Sequence, residues 1–567
     1  MNNIEPVICG LKLTHDGTVA VLRGNELIFS IEMEKIGNNA RFSAIDDLTQ
    51  ISKLLNDYGI KLSDVNHFVI DGWAGLSDSW IDTFYKGEKL RLQVGNYREK
   101  HLKQNILQSK KNSGLLLEPD FSADYSSFMH VTGHLASAYC TSPFASSEED
   151  SYVLVWDGGM FPRLYHYHYE QHEVSNLGPL FMITGNFYQL FASYFEPFNQ
   201  TNPDHLEDLS IAGKVMAFIA KGQPREALIE QFESIVKNHL ELSLNFPHSF
   251  VQRFKSNDDG QFSNEDILAS MHVFLQRKLL DGLGKQLVRH SFKTHNICLT
   301  GGCALNIKWN SAIRNSGLFS NVWVHPFPND SGSALGAACA KLMEVSAHRS
   351  IRWNVYQGPT VSRTKIGENW HQYSGDATQL AELLAKVQKP VVIIDGPAEL
   401  GPRALGSRSI LAPAHSPEMK DILNRIKNRE PYRPVAPICL EEDAPAIFDP
   451  GSADPYMLFD HQVRKDWIER IPAVIHLDGT ARLQTVGKHD NPFLYELLRE
   501  YKKITSVPVL CNTSANYSGK GFFPDVRSVM EWGMVNYIWS NGQIYIKEGF
   551  QHHFETLSPT KDLVGSE

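Results

Sequence analysis

Two histidines separated by three residues, His130 and His134, are the residues of this sequence best suited to holding a metal ion. If their segment is helical, the imidazoles lie one turn apart on one face, a spacing that suits a single ion. Asp157 and Asp330 each follow an apolar run that predicts a strand, and their carboxylates are candidate oxygen ligands. Such a mixed site suits Fe(II), Mn(II) or Zn(II), and carboxylates beside nucleotide phosphates also attract Mg(II). Because the chain contains 23 histidines, a chance pair without a metal is the alternative.

A second group of chemically active residues is cationic and lies between positions 401 and 482. Its arginines and lysine stand among glycine, proline and serine, which predict turns rather than a charged helix face. In a chain of net charge −10, this concentration predicts a site for a small, multiply charged anion. A solvated charged surface is the alternative. The cations of this group are Arg403, Arg408, Lys427, Arg429, Arg433 and Arg482.

Short polar side chains form a third group directly after the apolar run SVPVLC. Asn512 and Ser514 belong to this segment, NTSAN. Amide and hydroxyl side chains at the end of a strand can bind a phosphate or a nucleotide sugar, and they can equally form a plain Asx turn. The residues alone leave both readings open.

The elements that position these groups are predicted to come in two related halves. Apolar strands end at residues 16–17 and at residues 157–159, and a second strand follows each of these Asp-Gly turns. A further strand ends at Gly301 and Gly302, ahead of a helix that opens near Asn306. Glycines between a strand and a helix let the backbone approach a phosphate closely. We therefore expect a duplicated fold with a nucleotide at its glycine turns, and connections without a ligand are the alternative.

Length and composition limit the remaining possibilities. With 567 residues, 42% of them hydrophobic and 21% charged, the chain is expected to form several globular domains. An irregular stretch places a domain boundary near residue 355, and amphipathic helices are expected from 200 to 295. The acidic balance argues against a nucleic-acid partner, and no run of about 18 apolar residues predicts a membrane span. Seven scattered cysteines predict buried free thiols, and the N-terminus predicts no signal peptide, so the expected compartment is the cytoplasm.

Taken together, several motifs resemble the NodU/CmcH family of O-carbamoyltransferases, in particular its tobramycin-carbamoyltransferase type, over nearly the whole chain. Residues 401–410, GPRALGSRSI, are the most specific of them. The others are residues 14–17, 130–134, 156–159, 212–216, 300–302, 329–332, 427–434, 476–482 and 512–514. Residues 34–41 depart from the arginine-rich stretch of many family members, and Lys35 is the residue there expected to reach the adenylate or the acceptor.

The resemblance implies an α/β protein of two linked domains. Residues 1–355 would form an actin-like ATPase domain of the threonylcarbamoyl-transferase kind, which transfers the carbamoyl group. This domain would hold the family metal, often iron, on the two histidines and two aspartates described above. Residues 356–567 would form a YrdC-like domain, which joins carbamoyl phosphate and ATP into carbamoyl adenylate.

The resemblance also implies roles for single residues. His15 would act as the general base on the acceptor hydroxyl. Lys35, Arg403 and Arg433 would act as further catalytic residues. The residues expected at the phosphates and the nucleotide are Asp157, Gly158, Gly159, Gly213, Lys214, Gly301, Gly302, Asn306, Arg408, Lys427, Arg482, Asn512 and Ser514.

The implied acceptor is a hydroxyl of a small molecule, such as a sugar or an antibiotic precursor in secondary-metabolite biosynthesis. No nucleic-acid or membrane partner is expected, and a homodimer is left open. Two alternatives stand beside this function. One is a carbamoyltransferase that acts on a protein or a tRNA. The other is a non-catalytic sensor that binds nucleotide and metal.

Overall fold

The protein is described by a computed structural model over residues 5–75, 79–200, 209–243, 245–257 and 260–555. In these residues the main sheets have six, five and eight strands, and helices pack against them. The α/β class expected from the sequence is therefore confirmed. All seven cysteines are free, as predicted. Within the described ranges, every helix is too short or too polar to cross a lipid bilayer.

The N-terminal part of the chain forms the six-stranded sheet. Its elements are β1 (Val7–Lys12), β2 (Thr18–Arg23), β3 (Glu26–Glu32), α1 (Thr49–Asp57), β4 (His67–Ile70), β5 (Ser79–Tyr85), β6 (Glu88–Val94), β7 (Lys110–Glu118) and β8 (Phe121–Ser127). The strand order is β3-β2-β1-β4-β8-β7, and β5 and β6 form a separate hairpin. Every residue of β1 is buried, as expected for a strand covered on both faces.

The five-stranded sheet repeats this strand order. The elements of this part are α2 (His130–Cys140), α3 (Pro143–Ser146), β9 (Ser151–Val155), β10 (Arg163–His168), β11 (Glu173–Pro179), α4 (Asn186–Ala192), α5 (Ile211–Phe218), α6 (Glu226–His239), α7 (Phe246–Asn257), α8 (Asn264–Arg289), β12 (Asn296–Thr300), α9 (Ile307–Asn315), β13 (Asn321–Val324) and α10 (Ser333–Val345). The order β11-β10-β9-β12-β13 matches β3-β2-β1-β4-β8, with antiparallel and parallel pairs at the same places. The predicted duplication is therefore confirmed.

Two helices rich in small residues join these sheets. Helix α10 packs on β1, α2 packs on β9, and the two helices pack on each other. A Cβ atom at Gly336 would lie 1.8 Å from the carbonyl oxygen of Gly133, so the close crossing requires glycine. The crossing holds the start of α2, with His130 and His134, against the turn that carries Asp330.

Helices α4 to α8 form a layer outside the five-stranded sheet, with a core rich in phenylalanine. Helices α6 and α8 lie where amphipathic helices were predicted, so that prediction is confirmed. The predicted helical region also includes residues 201–208, 244 and 258–259, which lie outside the described residues.

The C-terminal part forms the eight-stranded sheet. Its elements are β14 (Trp370–Ser374), α11 (Ala377–Val387), β15 (Val391–Ile394), β16 (Arg408–Pro413), α12 (Glu418–Ile426), β17 (Ala436–Leu440), α13 (Ala444–Ile447), β18 (Phe448–Asp449), β19 (His461–Val463), β20 (Thr480–Ala481), β21 (Gln484–Val486), α14 (Pro492–Thr505), β22 (Val509–Ser514), α15 (Val526–Trp532), β23 (Tyr537–Ser540), β24 (Gln543–Lys547) and α16 (His552–Glu555). The strand order is β14-β24-β23-β15-β16-β22-β17-β21, while β18, β19 and β20 form a small sheet. Residues 556–567 lie outside the described residues.

Candidate active site

The four side chains predicted to bind a metal converge, although they come from three parts of the chain. His130 and His134 lie at the start of α2, Asp157 follows β9, and Asp330 precedes α10. The Nε2 atom of His130 lies 3.1 Å from His134 Nε2 and 3.4 Å from Asp330 Oδ1. One ligand atom from each of the four buried residues lies within 4.8 Å of the others. These atoms can therefore surround a single cation.

Three further side chains orient this metal cluster. Asp71 Oδ2 accepts a hydrogen bond from His130 Nδ1 at 2.7 Å, which leaves Nε2 facing the other ligands. The Lys12 ammonium lies 2.9 Å from Asp330 Oδ2. The Tyr97 hydroxyl donates to Asp157 Oδ2 at 2.6 Å, and its ring stacks on His130. Hydrogen bonds and ion pairs from surrounding residues thus orient the cluster, as they orient the ligands in protein metal sites.

The charges of the cluster favour a cation at its centre. Burial lowers the pKa of His130, but Asp71 and Asp330 outweigh burial and raise that pKa well above its ordinary value. Burial and Asp330 raise the pKa of Asp157, but the two imidazoles outweigh them and lower it. A proton on His130 therefore supplies a positive charge that the carboxylates attract. A divalent ion bound by the same Nε2 atom would replace that proton.

His15 stands at the exposed edge of the metal cluster. Its side chain is 41% exposed, and Nε2 lies 3.6 Å from Asp330 Oδ2. Nδ1 donates to Asp16 Oδ2 at 2.8 Å, so Nε2 remains free to accept a proton. Burial lowers the pKa of His15, but Asp16 and Asp330 outweigh burial and raise it. A ligand beside the cluster could therefore reach a basic nitrogen.

The glycines predicted to approach a nucleotide instead surround Asp157. The Gly302 N–H donates to Asp157 Oδ1 at 2.8 Å, and a Cβ at Gly301 would lie 2.4 Å from the Trp156 carbonyl oxygen. Gly158 packs against Asn186, and the Gly159 N–H donates to the Tyr97 hydroxyl.

Asn306 has a different place from the one predicted. Its Oδ1 accepts the N–H groups of Lys308 and Trp309 at 3.2 and 3.3 Å. Asn306 therefore caps helix α9. Neither Asn306 nor the glycines around Asp157 line the cavity that holds the predicted cations.

That cation cavity, of about 160 Å³, lies between the helical layer and the C-terminal sheet. Helices α5 and α9 line one side of it, and the end of β22 lines another. Its charged lining residues are Arg41, Lys308, Arg403, Arg429, Arg433, Asp478 and Arg482. Asn512, Ser514 and Gly213 line it as predicted, while Lys214, next in the chain, does not. The sequence placed the cation site within residues 356–567, but Arg41 and Lys308 come from the first part of the chain.

The arginines of the cation cavity are short of counter-ions. Burial and three neighbouring arginines, Arg482 first, lower the pKa of Arg403 well below its ordinary value. Burial and then Arg433 lower the pKa of Arg482 to about 10. The Nε atoms of Arg403 and Arg482 and the Oδ1 atom of Asn512 are buried without a hydrogen-bond partner. Buried polar atoms are rarely left unpaired, so the cavity suits a ligand with several anionic oxygens.

Lys35 makes contacts within the protein, and its role at the adenylate or the acceptor stays a prediction. Its buried ammonium donates to Glu32 Oε1 at 2.6 Å, to the Glu399 carbonyl at 2.5 Å and to the Gly401 carbonyl at 2.7 Å. An ammonium has three protons, so none remains for a ligand. Lys35 holds the loop that leads to Arg403, and Arg41 is the cation that residues 34–41 supply to the cavity.

Arg408 also makes its contacts within the protein, and its expected anion contact stays a prediction. Its guanidinium is buried and donates to backbone carbonyls of Pro359, Asp395, Gly396 and Ser407. Arg408 does not line the cation cavity. It therefore stabilises the turns around β15 and β16.

Lys427 is a third cation with contacts inside the protein, and its predicted role at the phosphates stays a prediction. Its ammonium donates to the carbonyls of Ser514 and Asn516 at 2.8 and 2.9 Å, and to Asn516 Oδ1 at 2.5 Å. Lys427 therefore orders the turn that presents Ser514, whose hydroxyl also donates to Asn516 Oδ1. The nearby Arg429 takes the place at the cavity, where its Nη2 donates to Thr513 Oγ1 at 3.1 Å.

Several residues of the two sites were not predicted, and some left a signal in the sequence. Lys12 is a charged residue within an otherwise apolar strand, which indicates a buried ion pair. Asp71 ends β4 in the string VIDG, much as Asp157 ends β9. His476 lines the cation cavity with an unpartnered Nε2. Burial lowers the pKa of His476 to about 3. Tyr97 stands in no recognisable motif.

The metal cluster and the cation cavity are close together. Gly302 contacts Asp157, and Lys308, six residues later, lines the cavity. Six residues span at most about 20 Å, so the backbones of Gly302 and Lys308 lie no farther apart than that. On the other side, a Cβ at Gly401 would lie 2.1 Å from the Pro326 carbonyl oxygen. The loop of Arg403 thus packs on the loop of Asp330.

The chain is similar to known proteins over nearly its full length. It is 46% identical to Nodulation protein U of Sinorhizobium fredii (strain NBRC 101917 / NGR234), covering 95% of this chain and 99% of that protein. It is 30% identical to 3'-hydroxymethylcephem-O-carbamoyltransferase of Streptomyces clavuligerus, covering 93% and 96%. Glucokinase from Balamuthia mandrillaris matches 59% of this chain and 92% of its own at 9% identity and a TM-score of 0.25, too low to bear on the fold.

Two family models also match the chain. The model described as "Carbamoyltransferase N-terminus" covers residues 7–339, which include the metal cluster, Arg41 and Lys308. The model described as "Carbamoyltransferase C-terminus" covers residues 381–538, which include the remaining cations of the cavity. Both sites therefore lie in segments that the matched families share, and the chain belongs to the carbamoyltransferase family as an enzyme of the NodU/CmcH type.

Proposed function

We propose that this enzyme transfers the carbamoyl group of carbamoyl phosphate, through carbamoyl adenylate, to a hydroxyl of a small molecule. The observation that carries the proposal is a cavity lined by five arginines, whose Arg403 loop packs on the Asp330 loop of a His/Asp cluster with a partly exposed histidine. Among the described residues, the Nε atoms of Arg403 and Arg482 have no hydrogen-bond partner. A transfer that consumes two phosphorylated substrates needs such a concentration of cations, because their phosphates otherwise repel each other.

The first half-reaction would take place in the cation cavity. Water releases phosphate from carbamoyl phosphate, and an oxygen of the resulting carbamate attacks the α-phosphorus of ATP and displaces pyrophosphate. Arg403, Arg429 and Arg482 present guanidinium groups that can hold the phosphate oxygens. The unpartnered Oδ1 of Asn512 can accept a hydrogen bond from a hydroxyl or amino group of the same ligand.

The second half-reaction would take place at the metal cluster. The acceptor oxygen attacks the carbamoyl carbon, its proton passes to a base, and AMP leaves. His15 fits the base, because Asp16 holds Nδ1 and leaves Nε2 directed at the exposed edge. When bound by the two histidines and two aspartates, a divalent ion such as Fe(II) would supply Lewis-acid polarisation of an oxygen. Mg(II) would accompany ATP as its counter-ion.

The fold assignment and the acceptor belong to the same proposal. The repeated strand order of the two sheets supports an actin-like ATPase fold for residues 1–355. The polar segment at the end of β22 supports a YrdC-like fold for residues 356–567. The cephem relative acts on a hydroxymethyl group, which supports an alcohol acceptor here. The net charge of −10 disfavours a tRNA acceptor.

The test is the fate of ATP when the full chain is incubated with carbamoyl phosphate and Mg²⁺. We expect pyrophosphate and AMP that depend on carbamoyl phosphate, identified by mass spectrometry. A panel of alcohols, including a hydroxymethyl cephem, should yield a carbamate ester with one of them. ATP that is bound but never cleaved would favour the non-catalytic sensor. Release of ADP instead of AMP would exclude the adenylate.

A further inference from the structure

Asp150, His166 and His168 form a second cluster of metal-ligating side chains at the opposite end of β9 from Asp157. His166 and His168 are two residues apart on β10, so their side chains share one face of the sheet. Asp150 immediately precedes β9, the antiparallel neighbour of β10, and therefore lies beside them. Antiparallel pairing alone brings the three together.

The ligand atoms of this second cluster lie slightly farther apart than they would around a bound ion. Asp150 Oδ2 lies 3.8 Å from His166 Nε2 and 3.9 Å from His168 Nδ1. Ligands bound about 2.1 Å from a tetrahedral ion lie about 3.4 Å apart. A movement of a few tenths of an ångström would therefore close the shell. The Asp150 side chain is 40% exposed and can make that movement.

One ligand atom of the second cluster lacks a hydrogen-bond partner among the residues that the structure describes. His166 is 1% exposed, and its Nε2 atom is buried without a hydrogen bond. Its Nδ1 lies 3.2 Å from His168 Nε2, so the ring is already held from its other side. Phe292 stacks on the His166 ring with centroids 3.9 Å apart, which fixes its plane. An oriented, buried and unpaired imidazole nitrogen beside a carboxylate is what a bound cation would complete.

We propose that Asp150, His166 and His168 bind a divalent transition-metal ion of the Zn²⁺ type. Two imidazoles and one carboxylate suit such an ion, and solvent can fill the remaining positions because His168 and Asp150 are partly exposed. The ion would fasten the start of β9 to β10. Seven residues separate Asp150 from Asp157, about 20 Å along a strand, so this ion is distinct from the one proposed at the active site.

The test is metal binding to the full chain after removal of metals with a chelator. The His134→Ala variant removes a ligand of the active-site cluster, so it isolates the second cluster. We then add either Asp150→Asn or His168→Asn to the His134→Ala variant. Both wild-type side chains are partly exposed, so the substitutions should leave the fold intact. His172→Asn is the matched control, because it changes a histidine of the β10–β11 turn whose φ of +53° asparagine readily adopts. The probe is Co²⁺ or Zn²⁺ alone.

We expect the His134→Ala variant to bind one equivalent of Co²⁺ with visible absorption bands of a low-coordinate site. The bands should disappear in the two double variants and persist in the control. Zn²⁺ should raise the thermal midpoint of His134→Ala and of the control, but not of the double variants. Binding that survives both double substitutions, or no binding to the folded His134→Ala variant, would overturn the proposal. Neither outcome depends on carbamoyl transfer.

Discussion

Replacing Arg403 with methionine should make the ligand-free enzyme more stable and its anion binding weaker. Arg403 is partly buried among Arg41, Arg433 and Arg482, and its Nε has no partner. In the empty enzyme this guanidinium repels its neighbours. When an anion is bound, the same group donates to it. One substitution should therefore change stability and binding in opposite directions.

The magnitude follows from the hydrogen bonds involved. Removing a buried donor that has no partner should raise the free energy of unfolding by about 1 kcal/mol. Losing one or two charge-assisted bonds to a phosphate should weaken binding by about 2–4 kcal/mol, or roughly 30- to 1,000-fold. Thermal unfolding without ligand and calorimetric titration with pyrophosphate and ATP measure the two quantities.

Arg408→Met is the matched control, since Arg408 lies five residues further along the chain. All of its contacts are with backbone carbonyls, which methionine would leave without a donor. This variant should lose about 3 kcal/mol of stability and keep its affinity for pyrophosphate when folded. If Arg403→Met proves less stable than the wild type and binds pyrophosphate normally, Arg403 is a structural residue and the cavity is not the anion site.

Three other predictions concern the metal cluster, the Glu32–Lys35 pair and acid sensitivity. His134→Ala should lose the metal of the active-site cluster, so elemental analysis should find one equivalent less than in the wild type, and it should make no carbamate ester yet still release pyrophosphate; the same metal content as the wild type would remove His134 from the ligand set. Lys35→Met should lower the thermal midpoint of unfolding. Arg41→Ala should keep that midpoint and weaken pyrophosphate binding at least about tenfold. Equal affinities of Arg41→Ala and the wild type for pyrophosphate would contradict the assignment of Arg41. Burial lowers the pKa of His272 from 6.5 to about 3. The contribution of neutral His272 to the free energy of unfolding is therefore fully present above pH 6.5 and is lost as the pH falls towards 3. At pH 5.5 the free energy of unfolding should be lower by about 1.4 kcal/mol because of His272. Unfolding measured at pH 8 and at pH 5.5 should show that His272→Phe removes this part of the difference.

The convergence of the four candidate metal ligands could be predicted from the sequence because the position of each is set by local structure. A helix brings His130 and His134 to one face, and Asp157 follows a strand at a recognisable Asp-Gly turn. The duplicated strand order could be predicted from the same turns. The pairing of β14 with β24 could not, because it joins residues 170 positions apart without a local signal.

The differences between the expected and the observed contacts of the cations share one physical cause. A sequence shows how many cations a segment carries, but not which of them are already paired with backbone carbonyls. Lys35, Arg408 and Lys427 use their protons within the protein, whereas Arg41 and Arg429 do so incompletely and remain at the cavity. Accounting for each buried N–H donor distinguishes the two groups, and that requires the tertiary structure.

The structural role of Lys35 explains how the two sites can act in sequence. Glu32, at the end of β3, accepts hydrogen bonds from both Lys35 and the Gly401 N–H. Gly401, two residues before Arg403, packs on the carbonyl of Pro326. Pro326 in turn lies four residues before Asp330. An anion held by Arg403 would therefore lie on a loop that contacts the loop of Asp330. A reactive adenylate made at the arginines would therefore be formed beside its acceptor site, with little time in water in which to hydrolyse.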